Sequence, residues 1–160
     1  MSVGRPDTAT ELDADIARLM RLPHVQPGYL CYWYTPVKSG YTACAGPPPE
    51  KRDLATWVYR WGPATTDLGC RDSGLREVPR YSTNLSAAWE VVDYLRQLGV
   101  WFCLFDERCD PPMYRASFCR ASFLMPPCDA VEATPALAIC RAALMLRDRG
   151  LKPLFQEISR

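Results

Sequence analysis

One uninterrupted stretch, Tyr81–Asp106, constrains this chain more than any other: a capped amphipathic helix that runs directly into an apolar strand. Ser82, Thr83 and Asn84 present side-chain oxygens to the free amides of a first helical turn. Leu85, Ala88, Trp89, Val92 and Leu95 follow at helical spacing as one apolar stripe, which Val91 and Leu98 widen. Gly99 stands where a chain leaving a helix takes positive φ. In the strand that follows, Trp101, Cys103 and Phe105 point one way and Phe102 and Leu104 the other. Both faces are apolar, which predicts helices above and below the sheet.

The segments on either side can be read outward from this pair. Glu107–Pro112 is too short for a parallel crossover, so the alternating run Met113–Phe123 is expected to return antiparallel to its predecessor, until Met125-Pro126-Pro127 breaks it. Thr134 is a good N-cap with Pro135 at the first helical position. The helix it opens is apolar from Ala136 to Leu146 except at Arg141, and Gly150 closes it. A cation at position 141 either pairs with Glu90 or Asp93, or lines a pocket. Towards the N-terminus, Leu12, Ile16, Leu19 and Met20 make a helical face that begins near Thr10, with Asp13 as a capping-box partner, and ends at Pro23. Tyr29–Thr35 and Leu54–Trp61 have strand composition. The segment between them, with three consecutive prolines, reads as a surface loop, and residues 62–80 as turns. The expected organisation is a flexible N-terminus (1–9), a single domain (10–150) and a C-terminal tail (151–160).

Totals exclude several function classes. With 19 basic and 18 acidic residues in 160, the chain has no basic excess that calls for nucleic acid. It lacks an apolar run long enough for a spanning helix and an apolar N-terminal leader, so residence in a cytoplasm is expected and a membrane is not. Eight cysteines and one histidine include no C-x-x-C pair, so the thiols are expected reduced and structural, with no metal and no cofactor. The sequence contains no Walker loop, dinucleotide fingerprint or H-E-x-x-H, and His24 has no partner signature of a nucleophilic site; no enzymatic activity is expected. Asp106, Glu107 and Asp110 share a loop as solvated carboxylates often do.

Two segments resemble a known family. YSTNLSAAWEVV, Tyr81–Val92, and TPALAICRAAL, Thr134–Leu144, stand in the order and spacing seen in the phage ABA sandwich domain. Asn84 stands where that family usually has Asp, and the N-terminal half is longer and richer in Cys and Pro. The resemblance implies an α+β fold, a three-layer α/β/α sandwich with a mainly antiparallel sheet. It also implies phage origin and action in the host bacterial cytoplasm.

For binding, the sequence offers Trp57, Tyr59, Arg60 and Trp61, with Arg80 and Tyr81 leading into the helix start at Ser82, Thr83 and Asn84, and Arg141 beyond. Aromatic faces stack bases, guanidinium groups grip phosphate and free helix amides attract anions. These parts suit a small nucleotide-like ligand; core packing and capping explain the same residues without one. The expectation is a non-enzymatic phage protein, an anti-defence sponge that sequesters a nucleotide-derived host immune signal, as an oligomer if the pocket lies between copies. The alternative is a protein-interaction module that inhibits a host defence enzyme or serves phage assembly, for which the Pro-rich loop Gly46–Glu50 and the surplus of aromatics speak.

Overall fold

A computed structural model describes residues 9–34, 36–37, 39–45, 54–62, 74–120 and 126–150. The expected frayed start, the Pro-rich loop Gly46–Glu50 and the tail 151–160 lie outside the described residues. The class is α+β: the described residues form three helices and two antiparallel sheets. The chain divides into two compact units, Met1–Pro79 and Arg80–Arg160.

The first unit opens with helix α1 (Ala9–Leu19), one residue ahead of the expected Thr10 start, so Thr10 sits inside the first turn. Leu12, Ile16 and Leu19 are buried as their spacing predicts. The helix stops before Pro23 is reached. Arg21 takes φ 59°, and the Leu22 amide donates back to the Ala17 carbonyl at 2.9 Å, closing the end as a left-handed cap usually built on glycine.

Strands β1 (Gln26–Tyr34), β2 (Ser39–Ala45), β3 (Leu54–Arg60) and β4 (Leu75–Glu77) pair in the order β2-β1-β3-β4. The sequence reading had β1 and β3 but took β2 for loop and β4 for turn. Ser, Gly, Thr and Ala dominate β2, and three residues are too few for β4 to show a period. The two edge strands β2 and β4 also approach each other, so the sheet is strongly curled. Ala43, Val58 and Leu75, with Leu30 against them, fill its concave side. Gly28 makes the curl possible: a Cβ there would lie 2.3 Å from the Cys44 carbonyl oxygen and 2.6 Å from a Val58 methyl.

The second unit runs α2 (Leu85–Gln97), β5 (Val100–Asp106), β6 (Tyr114–Arg120), β7 (Cys128–Glu132) and α3 (Pro135–Gly150). The helices, their caps and the β5–β6 hairpin follow the sequence reading; β7, behind Pro126 and Pro127, was not foreseen. Asn84 is the N-cap of α2, its Oδ1 accepting from the Ser86 and Ala87 amides at 2.9 and 3.3 Å. Gly99 ends that helix at φ 77°. Thr134 Oγ1 accepts from the Leu137 amide at 3.3 Å and caps α3.

The buried face of α2 is Ala87, Ala88, Val91, Val92 and Leu95, rotated from the predicted stripe; Leu85 and Trp89 stay partly exposed at its margin. Register pairs Phe102 with Phe118 and Leu104 with Ala116, and Ala116 with Ala130. Both helices meet this face of the sheet: Trp89 of α2 packs edge-on against Phe102 with ring centroids 5.4 Å apart, and Arg141 of α3 reaches Glu132 of β7. The opposite face corrects the expectation of a strand buried on both sides. Trp101 is 67% exposed and Phe105 51%, and Cys103 between them is exposed too. β5 is also an edge strand, not a central one. An apolar residue pattern tells which side chains share a face, but not whether anything covers it.

Candidate functional site

In the first unit, alternation along β3 sets Trp57, Tyr59 and Trp61 towards one side and Val58 and Arg60 towards the other. Tyr59 is buried and Trp57 half-buried, whereas Trp61 is 62% exposed. The Tyr59 ring meets Trp61 edge-on at 6.3 Å. The Trp61 backbone is held by its amide, which donates to the Gly74 carbonyl at 2.7 Å.

Two guanidinium groups that the sequence reading missed lie on these rings. Arg76 of β4 stands 4.1 Å from the Trp61 centroid, and Arg18 of α1 stands 4.8 Å from that of Trp57. Arg76 arrives there because β4 pairs Arg76 with Tyr59. Arg60, the arginine adjacent to Trp61 in sequence, is on the opposite side of the strand, where its backbone amide donates to the Pro23 carbonyl at 2.9 Å. The missed signal is cross-strand register, which cannot be read until β4 is recognised as a strand.

In the second unit, Tyr81 and Ser82 are almost fully buried and belong to the core. Arg80 and Thr83 are exposed, and the Arg80 carbonyl accepts from the Asn84 amide at 2.8 Å to shape the turn before α2. Asn84 is spent on capping. Arg141 pairs with Glu132 at 2.8 Å, so neither Glu90 nor Asp93 is the partner that the sequence suggested.

The acidic loop is also internally committed. Asp106 Oδ1 accepts from the Arg108 amide at 2.9 Å, and Glu107 bonds Arg115, whose pKa is raised by that hydrogen bond and by the charge of Glu107. Among the described residues no group of three or more His, Cys, Asp or Glu is placed to hold a metal ion, and no helix is long and apolar enough to cross a membrane. Seven of the cysteines are described, and all are free thiols. Burial pushes the Cys128 thiol up, although Arg149 acts in the other direction.

Each unit also presents a surface with the parts of a recognition site. In the first unit it is an exposed indole with a guanidinium on its face. In the second it is an open groove of about 770 Å³ lined by Trp89, Arg96, Val100, Trp101, Phe102 and Leu104. No curated protein matches the chain, and no solved structure does. The family model described as Phage ABA sandwich domain matches residues 52–144, more than half of the chain, from the start of β3 into α3. The chain belongs to the phage ABA sandwich domain family.

Proposed function

We propose that this phage-family protein acts without catalysis, binding a small nucleotide-derived immune signal in the host bacterial cytoplasm and holding it out of circulation. The observation that carries the reading is the exposed Trp61 with Arg76 on its face and Tyr59 at its edge. An exposed indole stacks a base, and an adjacent guanidinium donates two N–H bonds to the oxygens of its phosphate. Sequestration needs affinity and no proton transfer, and an aromatic ring with a guanidinium on its face supplies affinity alone. The three-layer α/β/α arrangement implied by the family resemblance would require cover over the outer face of the second sheet, where Trp101 and Phe105 stand exposed.

Calorimetry against cyclic nucleotides and ADP-ribose derivatives tests it. One member of the panel is expected to bind; Trp61→Ala is expected to weaken it by roughly 5- to 150-fold through a lost base stack, and Arg76→Ala by roughly 10- to 150-fold, the range for hydrogen bonds to charged groups. Arg60→Ala, altered on the other side of β3, is the control expected to retain affinity. No heat from any ligand with folded protein overturns the proposal. A second reading, a module that docks on a host protein, is favoured by the exposed Trp101, Phe105 and Val131 on the outer face of the second sheet. A stoichiometric partner drawn from host lysate, lost on Trp101→Ala, supports that reading instead.

A further inference from the structure

The free edge of β5 is the most conspicuous unfinished surface among the described residues. It is seven residues long, and its segment Val100–Phe105 carries no charge, proline or glycine, none of the devices that keep an edge strand from pairing. The groove beside it is walled by Trp89 and Arg96 of α2, and β6 takes up only the other edge. Backbone donors and acceptors along such an edge are satisfied fully by another strand.

We propose that the occupant is β5 of a second copy of this chain, added antiparallel about a twofold axis at Cys103 to make one continuous six-stranded sheet. The sequence of the strand is complementary to itself in that register. Trp101 falls opposite Phe105 of the second copy, twice, on the exposed face, and Phe102 falls opposite Leu104. Cys103 meets its own counterpart. The charges fix the direction. Arg96 stands exposed at the Val100 end of the groove, and Asp106 stands exposed at the other end of the strand. Antiparallel pairing that sets Val100 against Asp106 brings each Asp106 to the Arg96 end of its neighbour; parallel pairing keeps them apart. An isologous contact of this kind closes on itself and stops at two copies.

Sedimentation equilibrium of the full chain in reductant is expected to show a dimer. Arg96→Asp and Asp106→Arg, both at exposed positions, are each expected to raise its dissociation constant by about tenfold or more, since each places like charges together twice. The double variant Arg96→Asp/Asp106→Arg restores the pairing and is expected to return the constant to near the starting value. A second readout tests the register. Diamide, which takes up the two protons and two electrons released when two thiols join, is expected to give a covalent dimer that Cys103→Ser abolishes and Cys109→Ser does not. A monomer at every concentration overturns the proposal, as does a dimer indifferent to both charge reversals. So does a monomer whose edge captures an extended peptide.

Discussion

Replacing Gly28 by alanine isolates one atom's worth of steric conflict. The glycine lies in β1, opposite Thr56 of β3 and Ala45 of β2, and its backbone is in no conformation reserved for glycine. The added Cβ would stand 2.3 Å from the Cys44 carbonyl oxygen, against 3.4 Å for ordinary contact, a deficit of about 1 Å. It would also stand 2.6 and 2.9 Å from the two methyls of Val58, which is completely buried. None of these neighbours is the free end of a flexible chain, so the relief must come from the β1–β2 ladder. Overpacking of a tight core costs about 1–3 kcal/mol, and a backbone obstacle places Gly28→Ala at the upper end, about 3 kcal/mol. Urea denaturation at constant slope reads the loss as a lower midpoint. Gly28→Ala/Val58→Ala removes the methyl clash but keeps the carbonyl one. The double change is therefore expected to cost less than the sum of the singles, by about 1 kcal/mol. Gly99→Ala, at φ 77° with open space around it, is expected to lose about 1 kcal/mol for backbone strain alone. Gly62→Ala meets nothing within 4 Å and is expected to be neutral. A Gly28→Ala protein as stable as Gly62→Ala refutes the packing argument.

Three further outcomes are expected. Asn84→Ala leaves two amides of α2 without their acceptor and is expected to cost about 1 kcal/mol, measured by thermal melting; restoration by Asn84→Asp, the residue usual in the family, would confirm that capping is the cause. Because Cys128 has its pKa raised by burial, its contribution to stability is complete below the ordinary thiol value of about 8.5 and is lost as pH climbs through the higher folded value. Melting temperature is thus expected to fall in alkali less steeply for Cys128→Ala than for the parent, with Cys128 alkylated far more slowly at pH 8 than the exposed Cys103. Glu132→Gln and Arg141→Met each leave one charge of the pair unmatched in partial burial and are each expected to cost about 1–2 kcal/mol, with the double change Glu132→Gln/Arg141→Met costing less than their sum.

The sequence was most legible where local rules decide the outcome. The caps at Asn84, Gly99 and Thr134 are local chemistry, and the β5–β6 hairpin follows from the shortness of its loop. The strands β2, β4 and β7 were not legible, because small or few residues hide a period and each forms only on a partner distant in the chain. The same cause hid two arginines from the candidate site. Proximity in sequence put Arg60 beside Trp61, whereas a strand sends neighbours to opposite sides, and the arginines on the tryptophans come from β4 and α1. Burial differs at β5, where an apolar pattern on both faces predicts cover on both sides and Trp101 and Phe105 stand exposed on one of them. Arg141 meets Glu132 because α3 packs on β7, a strand whose pattern the flanking prolines hide.

The pairing of β1 with β3 separates kinship from cooperativity. The shared family segment opens at residue 52, two residues before β3, and so leaves β1, β2 and α1 outside. Yet β3 is the strand against which β1 is laid, and Val58 is buried together with Ala43 from β2. A fragment trimmed to the inherited segment would carry β3 with one flank stripped and its apolar side open to solvent. Excision before Arg80 interrupts no such ladder: the Val78 amide bonds back to Trp57 on one side of the cut, and the Asn84 amide to Arg80 on the other. A cut at Pro79, the boundary between the two compact units, is therefore expected to be better tolerated by this chain than a cut at residue 52.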